Sequence, residues 1–490
     1  MKKMKMYIDG QWVESGNHEY LSSVNPFNRE VWATVPQASQ QDANDAIEAA
    51  RRSFHTNWKH SSGLKRATLL FKLADLLDEN AEHLAQIESK DNGKIIRETT
   101  KQMHFAARMY RFYAGYADKL YGESIPLDNT NLLDYTMREP IGVAVLITAW
   151  NSPIQLLANK LAPALAAGNC VVIKPSEQAS VSTLEFTKLI EAAGFPQGVV
   201  NIVTGDGRVG DYLTRSDKVN KISFTGGVHT ARLIGNNASK NFVPLTLELG
   251  GKSPNIIYSD ADLERAVPGA MAGIFASSGQ TCIAGSRLLV QRSIYDEVAT
   301  KIAKRVQTIK LGDPLDPLTE MGPVANEGQY HRILKTIEKV ESEGAKVLVG
   351  GEIHDPELST GYYISPTVLI NVSNAMEVAR EEVFGPVLCM IPFEDEEESI
   401  QIANDSGYGL ASGIWTNNLS RAHRIAKELE AGTVWVNTYR TSAAQAPFGG
   451  VKQSGYGRER GFHALQEYTR TKNVMVDLSN EIQDPFSIRT

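Results

Sequence analysis

The chain has 490 residues, of which 42% are hydrophobic and 22% are charged, and this balance excludes a disordered or fibrous protein. Its 50 basic and 57 acidic residues give a net charge of −7, which argues against a nucleic-acid partner. Three cysteines are too few for a disulfide framework, and the longest apolar run, 141–150, is far shorter than the roughly 20 residues of a membrane span. We therefore expect a cytoplasmic protein with no nucleic-acid or membrane partner.

The N-terminal quarter is predicted to contain short strands and then long helices. Residues 1–40 are typical of strands and turns. Long helical patterns follow near 40–58, 64–90 and 94–121. Ser39 and Asp42 have the spacing of a helix-capping pair, which favours a helix start at this point. The stretch 126–140 begins and ends with proline and predicts an extended excursion from the body.

From residue 141 onward, continuous apolar strands alternate with helical patterns. The strand candidates lie at 143–148, 171–173, 199–203, 221–224 and 245–248. The helical patterns between them lie near 153–167, 179–193, 208–215 and 229–239. This alternation predicts a doubly wound parallel sheet, whose ligands bind beyond the carboxyl ends of its strands.

A second α/β series follows. Its strand candidates lie at 255–257, 286–292, 346–349, 386–391 and 433–437, and its helical patterns at 262–276, 294–310, 327–343, 396–405 and 419–430. The series predicts a second α/β domain. A last strand, near 473–477, is expected to pair with the 126–140 excursion or with another subunit.

Cys282 is the first candidate for chemistry. It follows Gly279 and Gln280, so its thiol is placed in a loop rather than on a regular apolar face. A reactive thiol needs access and a lowered pKa, whereas most free cysteines are small buried hydrophobes, and the residues alone leave both alternatives open. Cys170 and Cys389 lie in apolar strand patterns and are predicted to be inert.

Two further candidates for chemistry lie at or just after the ends of predicted strands. Glu248 precedes two glycines, a placement that suits a general base and equally suits a surface carboxylate in a turn. Asn151 stands between a strand and a helix, where its amide is either an oxyanion donor or a helix N-cap.

A nucleotide site is suggested by residues after two neighbouring strands. Lys174 and Glu177 are placed to hold ribose hydroxyls, unless they are solvated charges. Gly226 and Gly227 precede a helix whose first N–H groups could reach a pyrophosphate, although a Gly-Gly pair is a weak signal by itself. No group of His, Cys, Asp and Glu has the sequence spacing of metal ligands, so no metal is expected.

Together these motifs resemble those of the aldehyde dehydrogenase superfamily, over essentially the whole chain. The matching segments are AWN (149–151), KPSE (174–177), FTGG (224–227), LELGGKSPN (247–255), GQTC (279–282), EEVFGP (381–386) and PFGGVKQSGYGRE (447–459).

The resemblance implies oxidation of an aldehyde to a carboxylic acid with NAD(P)+. It implies that Cys282 is the nucleophile and that Asn151, with the Cys282 backbone N–H, stabilises the thiohemiacetal oxyanion. Hydride transfer then leaves a thioester, which water activated by Glu248 hydrolyses.

The resemblance also implies the cofactor contacts. Lys174 and Glu177 fall at the adenosine ribose, Glu382 at the nicotinamide ribose and Phe384 beside the nicotinamide ring, while Trp150 lines the cleft. NAD is favoured over NADP because Glu177 should repel a 2′-phosphate, although NADP use stays possible.

Three parts are implied for the fold. A dinucleotide-binding domain comprises 1–120 and 139–249, and a catalytic domain comprises 250–460. The segments 121–138 and 461–490 form a small β oligomerisation arm, so a homodimer or homotetramer is expected.

Five residues are placed by the resemblance along the substrate channel: Ser152, Asn159, Arg440, Ser442 and Phe448. Because most of them are polar, we expect a wide, polar channel for a bulky or oxygenated aldehyde, with an acid group that reaches Arg440 as one hypothesis. The alternative is that Arg440 forms a surface ion pair.

Three other functions remain alternatives. A dehydrogenase that passes the thioester to coenzyme A tends to lack the base at Glu248. A redox-free thiol hydrolase needs a Cys/His pair, and no histidine lies near these motifs. A non-catalytic member of the superfamily is disfavoured by the intact Cys282, Glu248 and Asn151.

Overall fold

The protein consists largely of parallel strands that alternate with helices. Its computed structural model describes residues 2–351, 356, 358–480 and 486. Part of the expected arm, namely 481–485 and 487–490, lies outside these residues. The α/β class expected from the sequence is confirmed. Across the described residues, no helix is long and apolar enough to cross a bilayer.

Five short strands open the chain, as the sequence predicts: β1 (Lys2–Lys3), β2 (Met6–Ile8), β3 (Gln11–Val13), β4 (Tyr20–Asn25) and β5 (Glu30–Pro36). Strands β1, β5 and β4 form a separate three-stranded sheet. Strands β2 and β3 instead extend one edge of the large sheet described below.

Four helices follow: α1 (Gln40–Thr56), α2 (Gly63–Glu79), α3 (Ala81–Asn92) and α4 (Ile96–Ala114). The capping pair is confirmed, since the Ser39 hydroxyl accepts from the Asp42 N–H at 3.1 Å and the Asp42 carboxylate accepts from the Ser39 N–H at 2.8 Å. The single helix expected over 64–90 is wrong, because Asn80 separates α2 from α3. The Asn80 amide donates to the Leu76 carbonyl at 2.8 Å, a local bond that competes with a continuing helix.

The first large sheet is doubly wound. After β6 (Ser124–Ile125) and β7 (Leu132–Pro140), its parallel strands are β8 (Val143–Ile147), β9 (Cys170–Lys174), β10 (Val200–Ile202), β11 (Lys221–Thr225) and β12 (Leu245–Glu248). The helices between them are α5 (Pro153–Ala167), α6 (Val181–Ala193), α7 (Gly207–Arg215) and α8 (Val228–Ser239). The spatial order β12-β11-β8-β9-β10 reverses between β8 and β11, which is where a ligand cleft is expected in such a sheet.

A second, seven-stranded sheet follows. Its strands are β13 (Pro254–Ile257), β14 (Arg287–Gln291), β15 (Lys346–Gly351), β16 (Ser365–Ile370), β17 (Val387–Phe393), β19 (Ala411–Trp415) and β20 (Thr433–Val436), and β18 (Tyr408–Gly409) lies outside it. The helices are α9 (Leu263–Phe275), α10 (Tyr295–Val306), α11 (Glu327–Lys339), α12 (Glu377–Arg380), α13 (Glu396–Asn404) and α14 (Leu419–Glu428). Short 3₁₀ turns lie at Trp58–His60, Ala276–Gly279, Arg292–Ile294, Val340–Glu343 and Leu358–Thr360.

Two strands of this sheet, β16 and β19, are absent from the sequence prediction. Pro366 interrupts the apolar pattern of β16, and Gly413 does the same in β19. The small residue is required at position 413, because a Cβ there would lie within 2.6 Å of the Asn255 side chain. The close packing of this strand therefore removes the hydrophobic signal by which strands are recognised.

The end of the chain returns to the first sheet. It contains β21 (Val451–Lys452), β22 (Gly455–Tyr456), α15 (Gly461–Glu467) and β23 (Thr469–Asp477). Strand β22 pairs antiparallel with β12, and Gly455 lies opposite Glu248. Strand β23 pairs with β7 along its whole length, so the expected pairing with the excursion occurs within one chain.

The return of β22 to the first sheet yields a stability prediction. Gly455 has φ +114°, and a Cβ there would collide with the backbone carbonyl of Leu247. We expect Gly455→Ala to lower the free energy of unfolding by about 3 kcal/mol. The loss has two causes, namely the strain of a positive φ at alanine and the overlap of its Cβ with the Leu247 carbonyl.

Gly194 provides the matched control, since its φ is +91° and a Cβ there would meet nothing within 4 Å. Gly194→Ala should cost only about 1 kcal/mol. Equal melting temperatures for the two variants in a thermal unfolding experiment would contradict the close contact.

Candidate active site

One cavity lies at the carboxyl ends of β8, β9 and β11, where the strand order reverses. We call it the strand-end cavity, and its volume is about 350 Å³. Its walls include five residues that the sequence assigned to a cofactor: Trp150, Lys174, Glu177, Gly226 and Gly227.

Lys174 and Glu177 stand together in this cavity. The Lys174 side chain is buried, and its ammonium donates to the Pro175 carbonyl at 3.1 Å and lies 3.5 Å from the half-buried Glu177 carboxylate. Burial lowers the pKa of Lys174, and Glu177 opposes that shift. A donor beside an acceptor is the arrangement that suits the neighbouring hydroxyls of a ribose.

The start of α8 supplies the part of the cavity that fits a pyrophosphate. Gly226 and Gly227 lead into this twelve-residue helix, whose first N–H groups have no partners within the helix. The hydroxyls of Thr148 and Thr225 are buried and take no hydrogen bond from any described residue. These orphaned polar groups fit a polar ligand in the cavity.

The loop that contains Glu382 and Phe384 borders this cavity at Trp150. The Phe384 ring meets the Trp150 ring edge-on, with ring centroids 5.2 Å apart. The Glu382 carboxylate accepts from the Gly251 N–H at 2.9 Å, and burial raises its pKa to about 7. Neither Glu382 nor Phe384 is part of the cavity wall itself.

Another cavity, which we call the thiol cavity, has a volume of about 170 Å³ and contains Cys282. Asn151 lines it, as do all five residues predicted for the substrate channel: Ser152, Asn159, Arg440, Ser442 and Phe448. Glu248 lies outside its wall. That carboxylate is buried, and neither of its oxygens accepts a hydrogen bond from a described residue.

The loop before Cys282 has an unusual backbone. Ser277, Ser278 and Gly279 have φ values of 55°, 54° and 71°, three successive left-handed residues that persist only where the surroundings hold them. The Ser277 N–H donates to Glu98 at 3.0 Å, and the Ser278 hydroxyl donates to the Gly322 carbonyl at 2.7 Å. These contacts fix the position from which the thiol projects.

Asn151 does not cap a helix, so that alternative is wrong. Helix α5 begins at Pro153, and the residue at its cap position is Ser152. The Asn151 amide instead donates to the Gln280 carbonyl at 3.0 Å, in the loop that precedes Cys282. One proton of this amide is thus used for positioning, and the other remains available to an acceptor.

Burial sets the protonation of both candidate catalytic groups. Burial, followed by the charges of Glu248 and Glu382, raises the pKa of the Cys282 thiol to about 12. Burial, followed by the charge of Glu459, raises the pKa of Glu248 well above its usual range. In this state the thiol is protonated near neutral pH, and Glu248 is a stronger base than an exposed glutamate.

Four buried charged residues at the site were missed: Lys94, Lys160, Glu459 and Arg460. Lys94 is buried, and its ammonium donates to Ser152 at 2.6 Å. Glu459 forms a buried ion pair with Lys160, and Arg460 lines the thiol cavity. The run Arg458-Glu459-Arg460 has the composition of a solvated surface, so no sequence pattern could place it inside.

Arg440 lines the thiol cavity and forms no ion pair with a described residue, so the surface ion pair is not observed. Its guanidinium donates to the Ala272 carbonyl at 3.2 Å and to the Ser277 hydroxyl at 3.4 Å. Within the described ranges, no group of three or more His, Cys, Asp or Glu side chains is arranged to hold a metal ion.

Comparisons with known proteins find relatives that match nearly the whole chain. The sequence matches the model of the aldehyde dehydrogenase family over residues 12–474. It is 46% identical over 494 residues to (Z)-2-((N-methylformamido)methylene)-5-hydroxybutyrolactone dehydrogenase of Acinetobacter baylyi, with 100% of both chains covered. It is 44% identical to betaine aldehyde dehydrogenase of Bacillus subtilis, with 96% of both chains covered.

A solved structure is also similar throughout. A crystal structure of a point mutant of betaine aldehyde dehydrogenase from Staphylococcus aureus, in complex with NAD+, has a TM-score of 0.98 and 41% sequence identity. The similarity covers 100% of each chain.

The raised pKa of Cys282 predicts how its reactivity depends on pH. Because only the thiolate is alkylated, the iodoacetamide rate should rise about tenfold per pH unit from pH 7 to about pH 10 without a plateau. Cys282→Ser identifies the signal, since Cys170 and Cys389 are buried. A plateau below about pH 8 would show that the surroundings stabilise the thiolate instead.

Proposed function

The chain belongs to the aldehyde dehydrogenase family and oxidises aldehydes with NAD+, and we propose that it does so through a thioester on Cys282 that Glu248-activated water hydrolyses. The observation that carries this proposal is the convergence of three groups. Cys282 projects from a strained loop, and the Asn151 amide reaches that loop. Glu248 is buried at the end of β12, and the backbone just after it approaches Cys282, since a Cβ on Gly251 would lie 2.5 Å from the Cys282 carbonyl.

The first step is attack of the Cys282 sulfur on the aldehyde carbon. Because the thiol is protonated before reaction, its proton must leave as the S–C bond forms. Cys282 is only partly buried, so water that reaches the thiol can carry this proton to bulk solvent. The negative charge that develops on the aldehyde oxygen is stabilised by the free amide proton of Asn151 and by the Cys282 N–H, which donates to no described residue.

Bound NAD+ accepts the hydride that leaves the aldehyde carbon, and this oxidation yields the Cys282 thioester. The residues of this chain contribute by positioning NAD+ relative to Cys282. Trp150 and Phe384 form an edge-on aromatic pair beside the strand-end cavity, and Lys174 and Glu177 are suited to hold a ribose. Glu382 is tied to the Gly251 N–H, which limits its freedom to move.

Hydrolysis of the thioester requires Glu248 in its ionised form, so that it can take a proton from the attacking water. Glu248 is suited to this because its oxygens have no hydrogen-bond partner among the described residues and are free to bind a water molecule. Glu459 raises the Glu248 pKa, and Lys160 lowers it, so the buried Lys160–Glu459 pair tunes this base. A product acid rather than an acyl-CoA follows from this role.

For the fold, we propose a dinucleotide-binding domain of 1–120 and 139–249 and a catalytic domain of 250–460. The change from the first to the second sheet between β12 and β13 supports the boundary at 249. We propose that 121–138 and 461–490 form an oligomerisation arm in a homodimer or homotetramer. Support comes from the exposed apolar side chains on β7 and β23, among them Leu133, Met137, Met475 and Val476.

The role of Glu248 is tested with Glu248→Gln, which keeps the size of the side chain and removes its basicity. We expect an initial burst of about one NADH per active site followed by turnover reduced about 10²–10⁴-fold, because thioester hydrolysis becomes limiting. The measurement is stopped-flow absorbance at the NADH band.

Cys282→Ala is the control, and it should show neither burst nor turnover. A Glu248→Gln enzyme that loses the burst and the turnover equally would assign Glu248 to a different step. Adding coenzyme A to the wild type should give no acyl-CoA, and its formation would favour the acylating alternative.

The preference for NAD is tested at Glu177. We expect Glu177→Ser to raise the ratio of kcat/KM with NADP to kcat/KM with NAD, because a carboxylate that repels the 2′-phosphate is removed. Glu19→Ser, at an exposed site outside the cavity, is the control. An unchanged ratio would remove Glu177 from the ribose site.

A further inference from the structure

Arg460 is a buried cation in the thiol cavity that the mechanism does not use. Its side chain is only 7% exposed. Its Nε donates to the Asn159 Oδ1 at 3.3 Å, and its Nη1 donates to the Ser442 hydroxyl. The guanidinium carbon lies 4.8 Å from the Phe448 ring centroid and 5.2 Å from that of Phe105. Neutral groups therefore hold the guanidinium in one orientation.

No carboxylate of the described residues forms an ion pair with Arg460. Its sequence neighbour Glu459 is paired with Lys160, which is itself fully buried. A charge that is removed from water without a partner is costly in free energy. Glu459 and Glu248 act favourably on this charge without forming an ion pair with it, and an anion that contacts the guanidinium directly would complete the arrangement.

The rest of the cavity wall carries no negative charge and contains an unpaired donor. Asn159 is 1% exposed, and because its Oδ1 accepts from Arg460, its Nδ2 is left as a buried donor with no partner among the described residues. Arg440, on the wall of the same cavity, also has no carboxylate partner there. No Asp or Glu lines the cavity.

We propose that the substrate is a short aldehyde that bears a carboxylate, and that Arg460 and the Asn159 amide hold this carboxylate while the aldehyde carbon meets Cys282. The proposal rests on the proposed function and names its substrate class. Arg460 is the principal receptor because it is buried and oriented, and Arg440 adds positive charge from a more exposed position. A quaternary ammonium aldehyde is disfavoured, since it would bring a cation against two guanidinium groups.

A different role for Arg460 makes a different prediction. Its charge lowers the pKa of Cys282, so it could instead promote attack on every aldehyde alike. In that case its removal would slow all substrates equally and would shift the pH dependence of kcat/KM. The two roles are separated by comparing substrates that differ only in charge.

The test compares 4-oxobutanoate with its methyl ester, which has nearly the same shape and no charge. We expect the wild type to prefer the acid and Arg460→Met to lower the acid-to-ester ratio of kcat/KM about 30-fold, mainly through KM. Arg460→Lys should restore part of the ratio. Arg458→Met is the matched control: it changes the same charge two residues away, outside the cavity wall, and should leave the ratio unchanged.

A second measurement needs no variant. Succinate, which carries the carboxylate but no aldehyde, should inhibit oxidation of the ester competitively, and the neutral succinamide should not. This arm keeps the proposal testable if Arg460→Met does not fold.

The proposal is overturned if the ester and the acid are used equally well by the wild type, if Arg460→Met slows both equally, or if succinate and succinamide inhibit alike. Failure of the proposed function looks different, because neither aldehyde would then reduce NAD+ at all. Faster oxidation of betaine aldehyde than of 4-oxobutanoate would also overturn the proposal.

Discussion

The active site depends on the close approach of two backbone loops. Gly279, in the left-handed stretch before Cys282, lies so near the Gly385 carbonyl that a Cβ would overlap it. One loop carries the nucleophile, and the other carries Glu382 and Phe384. Their contact fixes the thiol relative to the aromatic pair of Trp150 and Phe384, which borders the strand-end cavity. Both sides of the contact are backbone, so no change of side-chain rotamer can alter it. The position of the thiol is therefore as well defined as the fold itself.

Around this contact, the protein buries charges that it does not fully pair. Desolvation raises the pKa values of Cys282 and Glu248, and so holds the thiol protonated and makes the carboxylate a useful base. Glu459 is paired with Lys160, whereas Arg460 next to it has no carboxylate partner among the described residues. The buried guanidinium has an unfavourable desolvation free energy, which the carboxylate of the proposed substrate would offset by pairing with it. A buried charge that lacks an ion-pair partner and lines a cavity is typical of a ligand-binding subsite.

Much of the fold and of the candidate site was predictable from the sequence. The features that were missed depend on specific packing or hydrogen-bond contacts, which local sequence patterns do not show. Continuous apolar strands and capped helices are local signals, so α5 and β12 were located to the residue. Strand β19 was missed because Gly413 must be small where it packs against Asn255. The break at Asn80 depends on one side-chain hydrogen bond. Arg460 was missed because its run of charges is typical of a surface, and only tertiary packing against Phe448 takes it inside.

The central claim is that the reaction passes through an acyl group on one particular thiol. The most direct measurement is mass spectrometry of Glu248→Gln protein that has been mixed with NAD+ and an aldehyde substrate, quenched in acid and digested. The account predicts that the peptide containing Cys282 gains the mass of the acyl group, and that this gain disappears when NAD+ is omitted. Modification of Cys170 or Cys389 instead, or no covalent adduct during NADH formation, would contradict it.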